Sequence, residues 1–199
     1  MKKTKTEIKR IFREGMRDGM PIGLGYFAVA FSLGIAARAA GLSVTAATLA
    51  SLLCNASAGE YAGFTVIAAN ASYIEMAAIT LVANARYILM SCAMSQRFSP
   101  DTRTIHRLIM GFDTTDELFG IAMARPGALE PAYTYGAMLV SVPLWAAGTA
   151  LGTAAGSILP DAVVTALGVA LYGMFLAIII PPARKDKVVA ALVAISFAL

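Results

Sequence analysis

At 199 residues, 58% hydrophobic and 14% charged, with a mean hydropathy of +0.71, the chain departs from a soluble domain, in which about 25% of residues are charged. The net charge of +4 does not mark a nucleic-acid partner, because the basic residues gather at the amino terminus and in short connections between apolar stretches, where they orient a membrane protein in the lipid bilayer. Cys54 and Cys92 both fall inside apolar stretches, so there is no disulfide framework or metal-ligand spacing, and no cofactor is implied.

The first twenty residues carry Lys2, Lys3, Lys5, Lys9, Arg10, Arg13 and Arg17, with Ile8, Ile11, Phe12 and Met16 at helical spacing. This pattern predicts an amphipathic helix over residues 1–20 on the cytoplasmic surface. The apolar stretch from Pro21 to Ala37 is longer than a signal-peptide core and lacks a clear cleavage pattern, and Pro21 suits a first helical turn. Gly15, Gly19 and Gly23 recur every four residues, which permits close helix packing.

Beyond Arg38 to Ser43, a second apolar segment from Val44 to Ala69 is interrupted by NASAGEYAG at Asn55 to Gly63. The third segment, Tyr73 to Met94, holds Asn84 and Arg86 near its middle, and the fourth, Ile105 to Ala124, holds GFDTTDELFG at Gly111 to Gly120. Two conventional spans follow, Ala132 to Ile158 and Ala162 to Ile180, separated by Pro160 and Asp161. Gly148, Gly152 and Gly156 give the former a flat face, and Pro181 and Pro182 end the latter. The run from Val188 to Leu199 is too short to span, so the expectation is a truncated last helix or a half-span within a single transmembrane domain, 21–199. Lone His106, between Arg103 and Arg107, reads as a solvated boundary residue.

If every apolar segment crossed completely with the amino terminus inside, Arg97, Arg103 and Arg107 would lie outside, against the positive-inside rule. If 44–69 and 105–124 instead enter and leave on the same side, the amino terminus, Arg97 to Arg107, Arg125 and Arg184 to Lys187 are all cytoplasmic and only Arg38 is outside. Both interruptions place small or hydroxylated residues before a glutamate (Glu60, Glu117) and an aromatic soon after it (Tyr61, Phe119). Each follows a full span, and the two spans run in opposite directions, as in an inverted repeat whose broken helices meet near the midplane. The expected fold is an all-α polytopic membrane protein with broken or re-entrant helices. A broken but complete crossing by 105–124 is the alternative.

A carboxylate at membrane depth costs at least ~2.5 kcal/mol, so it is normally kept where it lines a polar pathway. Asp113 and Glu117 are four residues apart and share one face of a continuous helix, with Asp116 beside Glu117. Clustered carboxylates that repel and lose hydration suit a proton-carrying site. The structural alternative is capping of a broken helix by Thr114 or Asp116. Around the first interruption, Asn55, Ser57 and Gly59 expose backbone N–H groups for a substrate carboxylate, and Glu60 receives an amino group or a proton; the alternative is a packing kink with Glu60 paired to a neighbouring helix. Arg86 is permanently charged, and its expected partners are Glu60 and the acidic cluster. No GxxxxGK[ST] pattern occurs, so transport would not use ATP, and no catalytic residues or enzyme activity are expected. A non-transporting scaffold subunit is the competing class.

FREGMRDGMPIGLGYFAVAFSLGIAARAAGLS (Phe12 to Ser43), NASAGEYAGF, LVANARYILMS (Leu81 to Ser91) and GFDTTDELFG, in this order and spacing, resemble the AzlC-type large subunit of branched-chain amino acid exporters. The likeness runs from Phe12 to about Arg184. It implies a bacterial inner-membrane permease that exports leucine, isoleucine, valine or methionine with a small AzlD-type membrane subunit. By matching motif, the resemblance assigns function to Ser57 and Glu60, to Asn84, Arg86 and Tyr87, and to Thr115, Asp116 and Glu117. Family members often have Gln at the position of Glu60 and His at that of Tyr87.

Overall fold

Thr4 starts the first helix with a reciprocal cap: its Oγ1 accepts from the Glu7 N–H at 3.3 Å, and Glu7 Oε2 accepts from the Thr4 N–H at 2.7 Å. The computed structural model describes residues 4–156, 158–160, 162, 180, 184 and 187–198. Among these every regular element is an α-helix: α1 (Lys5–Ala39), α2 (Val44–Cys54), α3 (Ser57–Ala68), α4 (Tyr73–Ser95), α5 (Thr104–Phe112), α6 (Asp116–Ala124), α7 (Pro131–Ala155) and α8 (Lys187–Ala198). The chain forms two compact units, Met1–Ile158 and Leu159–Leu199; α8 belongs to the second. Most of the segment expected as a span from Ala162 to Ile180 lies outside the described residues, as do Asp161, Pro181 and Pro182.

α1, α4 and α7 are long and apolar enough to cross a membrane. The basic amphipathic segment is not a separate helix, because α1 runs on for 35 residues, or about 52 Å, with Pro21 inside it. An internal proline forfeits one helical hydrogen bond, and packing against α7 on both sides of it holds the helix together. That packing brings backbone to backbone. A Cβ at Gly15 would strike the Tyr133 carbonyl and one at Gly34 the Thr149 carbonyl; in return, one at Gly136 would strike the Phe12 carbonyl and one at Gly152 the Phe31 carbonyl. The two glycine faces expected from sequence therefore pack on each other, with α1 and α7 parallel along the length of α7.

Side-chain contacts fix which ends lie together. Arg125 Nη2 donates to Glu14 Oε2 at 3.0 Å, and Arg97 donates to the carbonyls of Arg125 (2.7 Å), Gly127 (2.6 Å) and Met123 (3.3 Å). The ends of α4 and α6 thus meet the amino-terminal part of α1 at one end of the bundle, the basic end. His106 in the first turn of α5 is bonded to the Tyr135 hydroxyl near the start of α7 at 2.7 Å, so it is a partnered residue, and α5 also starts at that end. The segment 104–124 consequently leaves and returns at the basic end of the bundle, the geometry of a re-entrant pair.

The same argument applies to α2 and α3. α1 ends at the far end, where Gly156 of the α7 terminus faces Arg38, and α2 begins after a connection turned by Gly41 at φ +82°. α4 must start at the far end because it finishes at the basic one, and α3 reaches it through Asn70 at φ 51°. Hence α1–α2–α3 and α4–α5–α6 repeat one pattern, a span followed by a re-entrant pair, in opposite orientations. Met94, Met110, Ala122 and Leu129, flanked by Phe98 and Phe119, form the apolar base from which the α5–α6 pair rises. α4 exposes Ile74, Leu81, Val82 and Leu89, surface that hydrocarbon solvates without cost.

Candidate functional site

Each re-entrant pair has a tip where one half-helix ends and the next begins. α2 ends at Asn55, whose left-handed φ of 42° suits asparagine better than most side chains, and α5 ends at Asp113. The two tips are joined directly: Asn55 Nδ2 donates to Asp113 Oδ1, with both side chains buried at 4% and 1% exposure. α3 and α6 start at the same tips, so each tip combines the negative end of one half-helix with the positive end of another. The break separates Asp113 from Asp116 and Glu117, so the acids expected on one helical face sit on two different half-helices. The α6 cap is Thr115, whose Oγ1 accepts from the Leu118 N–H at 3.3 Å; neither Thr114 nor Asp116 fills that role, and Thr114 instead donates to the Met110 carbonyl at 3.0 Å. α3 has Ala56 at its N-cap and no side-chain cap, and half-buried Ser57 is its first residue.

The glutamates of the two pairs are held by aromatic donors from the locked helices, in a crossed arrangement. Trp145 of α7 donates from Nε1 to Glu60 Oε2 at 3.1 Å, while Tyr26 of α1 donates to Glu117 Oε2 at 2.8 Å and is also bonded to Thr115 Oγ1. Tyr26 has a single hydroxyl proton and gives it to Glu117, so Thr115 is the donor to Tyr26. The two rings meet edge to face with centroids 5.3 Å apart. Sequence reasoning missed both aromatics. The available signal was a tryptophan at mid-helix, away from the membrane interfaces where that residue is usually enriched.

On α4, Arg86 pairs with Asp116 at 2.7 Å, lies 5.2 Å from the centre of the Tyr87 ring and donates to the Tyr87 hydroxyl at 3.4 Å. It pairs with the acidic cluster and not with Glu60, which has Trp145. Asn84 faces the other half-helix, and a Cβ at Gly59 would stand 2.5–2.9 Å from three of its side-chain atoms, so only glycine admits it there.

Five buried side-chain atoms have no hydrogen-bond partner among the described residues: Asn55 Oδ1, Glu60 Oε1, Asn84 Oδ1, Arg86 Nε and Asp113 Oδ2. Each such group costs about 1–3 kcal/mol of desolvation. All five belong to the residues singled out from sequence, at the two tips and on the middle of α4. Four are acceptors and one is a donor, a balance that suits a proton or a cationic group, with Arg86 as the point for an anionic one. No cluster of three or more His, Cys, Asp or Glu side chains placed to hold a metal ion occurs among the described residues.

Long apolar helices around a buried polar junction of two opposed re-entrant pairs define a helical membrane protein with broken helices. The model of the family described as AzlC protein matches residues 21–159, and the chain belongs to that family. It is 34% identical to an uncharacterized membrane protein of Archaeoglobus fulgidus, over 91% of this chain and 80% of that protein. It is 28% identical to inner membrane protein YgaZ of Escherichia coli, over 92% and 78% of the two chains. An uncharacterized membrane protein of Helicobacter pylori is 24% identical, over 76% and 67%. No solved structure matches the chain. Its role is membrane-transport related.

Proposed function

We propose that the chain is the large subunit of a secondary transporter that exports hydrophobic amino acids, namely leucine, isoleucine, valine and methionine, driven by the proton gradient and with no enzymatic step. The observation that carries this reading is the set of five unpartnered polar atoms at the buried junction, a site for a small polar solute or proton inside an apolar bundle. Arg86 and the uncapped start of α3 suit a substrate carboxylate, and Glu60 with Asn84 suits an amino group. The basic end is the cytoplasmic one, with the amino terminus inside and the chain crossing the membrane several times. The membrane is the bacterial inner membrane, in keeping with the name of the Escherichia coli relative. A small AzlD-type membrane subunit completes the transporter.

The test is efflux of leucine, valine and methionine from peptide-loaded cells, with and without the small subunit, comparing Asp116→Asn and Glu117→Gln with the parent. Efflux that needs both subunits and falls in the variants supports the reading. Unchanged pH-dependent efflux in both variants removes Asp116 and Glu117 from coupling. A correctly inserted pair without any efflux favours a scaffold, the role that the locked α1–α7 packing suits.

A further inference from the structure

The bond between Asn55 and Asp113 is half of a known motif. An amide and a carboxylic acid form an eight-membered ring with two hydrogen bonds, one from the amide N–H to a carboxyl oxygen and one from the acid O–H to the amide oxygen. The first is present, Asn55 Nδ2 to Asp113 Oδ1. The two atoms that would make the second, Asp113 Oδ2 and Asn55 Oδ1, are both buried and unpartnered. One proton on Asp113 Oδ2 satisfies both at once. Without it, two lone-pair-bearing oxygens are left unsatisfied on side chains 1% and 4% exposed.

The charged and titratable neighbours leave this place to a proton. Tyr26 of α1 gives its proton to Glu117, Glu60 of α3 is held by Trp145, and Arg86 of α4 is paired with Asp116 of α6. Cys54 of α2 precedes Asn55 and carries no charge to offset a carboxylate, while the other buried groups of α7 here, Ser141 and Thr149, do not titrate. No basic side chain among the described residues forms an ion pair with Asp113.

We propose that the Asn55–Asp113 pair is the coupling proton site, and that proton binding closes the ring and fastens the two re-entrant tips together. The step balances simply. A proton from water at the far end forms an O–H bond at Asp113 Oδ2 and takes the pair from one negative charge to none; its release to water at the basic end restores the carboxylate. The neutral, doubly bonded pair holds α2 and α5 end to end, and the ionised pair keeps one bond and frees the tips to part. This inference rests on the exporter reading and assigns the proton to the Asn55–Asp113 pair, leaving Glu60, Asn84, Arg86 and Asp116 to the substrate.

The experiment uses the full chain with its small subunit in membrane vesicles, comparing leucine exchange at equal pH with leucine accumulation driven by a pH difference. Asp113→Asn makes a permanent amide–amide ring and is expected to abolish driven accumulation. The swap of Asn55→Asp with Asp113→Asn rebuilds the amide–acid pair in reverse and is expected to restore it, since aspartate also tolerates the left-handed conformation at position 55. Driven accumulation in Asp113→Asn, or its absence in an inserted swap, overturns the proposal. If Asp113→Asn does not insert, the swap alone decides. A parent that neither exchanges nor accumulates leucine, valine or methionine defeats the exporter reading, whereas a transporting parent matched by Asp113→Asn in pH dependence defeats the proton site alone.

Discussion

Trp145 Nε1 donates to Glu60 Oε2 at 3.1 Å, holding a carboxylate that is 3% exposed. Trp145→Phe keeps an aromatic ring beside Tyr26 and removes the indole donor to a buried carboxylate. The expected result is a loss of about 1–3 kcal/mol of stability, seen as a lower melting temperature in detergent, with reduced leucine efflux. Glu60→Gln in the same background brings its own N–H donors and should recover part of the stability. A Trp145→Phe protein that melts and transports like the parent would show that the bond has no role.

Arg86 and Asp116 should behave as a unit. At 2.7 Å, with side chains 36% and 24% exposed, the pair is partly shielded, so removing either partner leaves the other charge poorly solvated. Arg86→Gln and Asp116→Asn are each expected to destabilise the protein, and the double variant by less than their sum, with a coupling of about 0.5–3 kcal/mol. Additive melting shifts would mean that the two side chains act independently.

The glycines of α1 and α7 make a sharper steric prediction. Gly34→Ala and Gly152→Ala each drive a methyl group into the backbone of the opposite helix and should cost about 1–3 kcal/mol, or prevent accumulation in the membrane. Gly25→Ala and Gly63→Ala meet nothing within 4 Å and should be tolerated. Equal expression and melting across all four variants would contradict the close approach.

Labelling tests the re-entrant topology. In a background with Cys54→Ser and Cys92→Ser, cysteines placed at Lys9 and Arg103 should react with an impermeant thiol reagent from the same side, and one at Arg38 from the opposite side. A complete crossing by 44–69 moves position 103 to the side of Arg38, and such a labelling pattern would refute the same-side return of α2–α3; a further cysteine at Arg125 should label from the side of Lys9, and labelling from the side of Arg38 would refute that of α5–α6.

Much of this architecture was legible before any coordinates. Asn, Ser and Gly around Glu60, and Asp113 to Asp116 in an apolar run, mark places where a helix is interrupted, and the arginine distribution favours a same-side return for both segments, with a broken but complete crossing by 105–124 as the alternative. The pairing within the site was less legible. Arg86 looked as near to Glu60 as to the acids, yet Asn84 takes the face of α4 toward α3 at Gly59, and Arg86, about 200° further round the helix, turns to Asp116. Pro21 looked like a helix start because that is where proline is commonest. The glycine stripe at Gly15, Gly19, Gly23 and Gly34 crosses that position unbroken, and tertiary packing overrides the local preference. Tyr26 and Trp145 were lost among other aromatics because only the fold shows which of them meet an acid.

The interlock of α1 with α7 also limits how the molecule can change shape. Two helices whose glycines seat the opposite backbone cannot slide or roll past each other without collision, so they move as a single strut. Tyr26 and Trp145 are mounted on that strut, and the acids they hold are mounted on short half-helices hinged at Asn55 and at Asp113 to Thr115. Any separation of the two tips is therefore a swing of short half-helices against a fixed frame, and it strains the aromatic–acid contacts that join them to it.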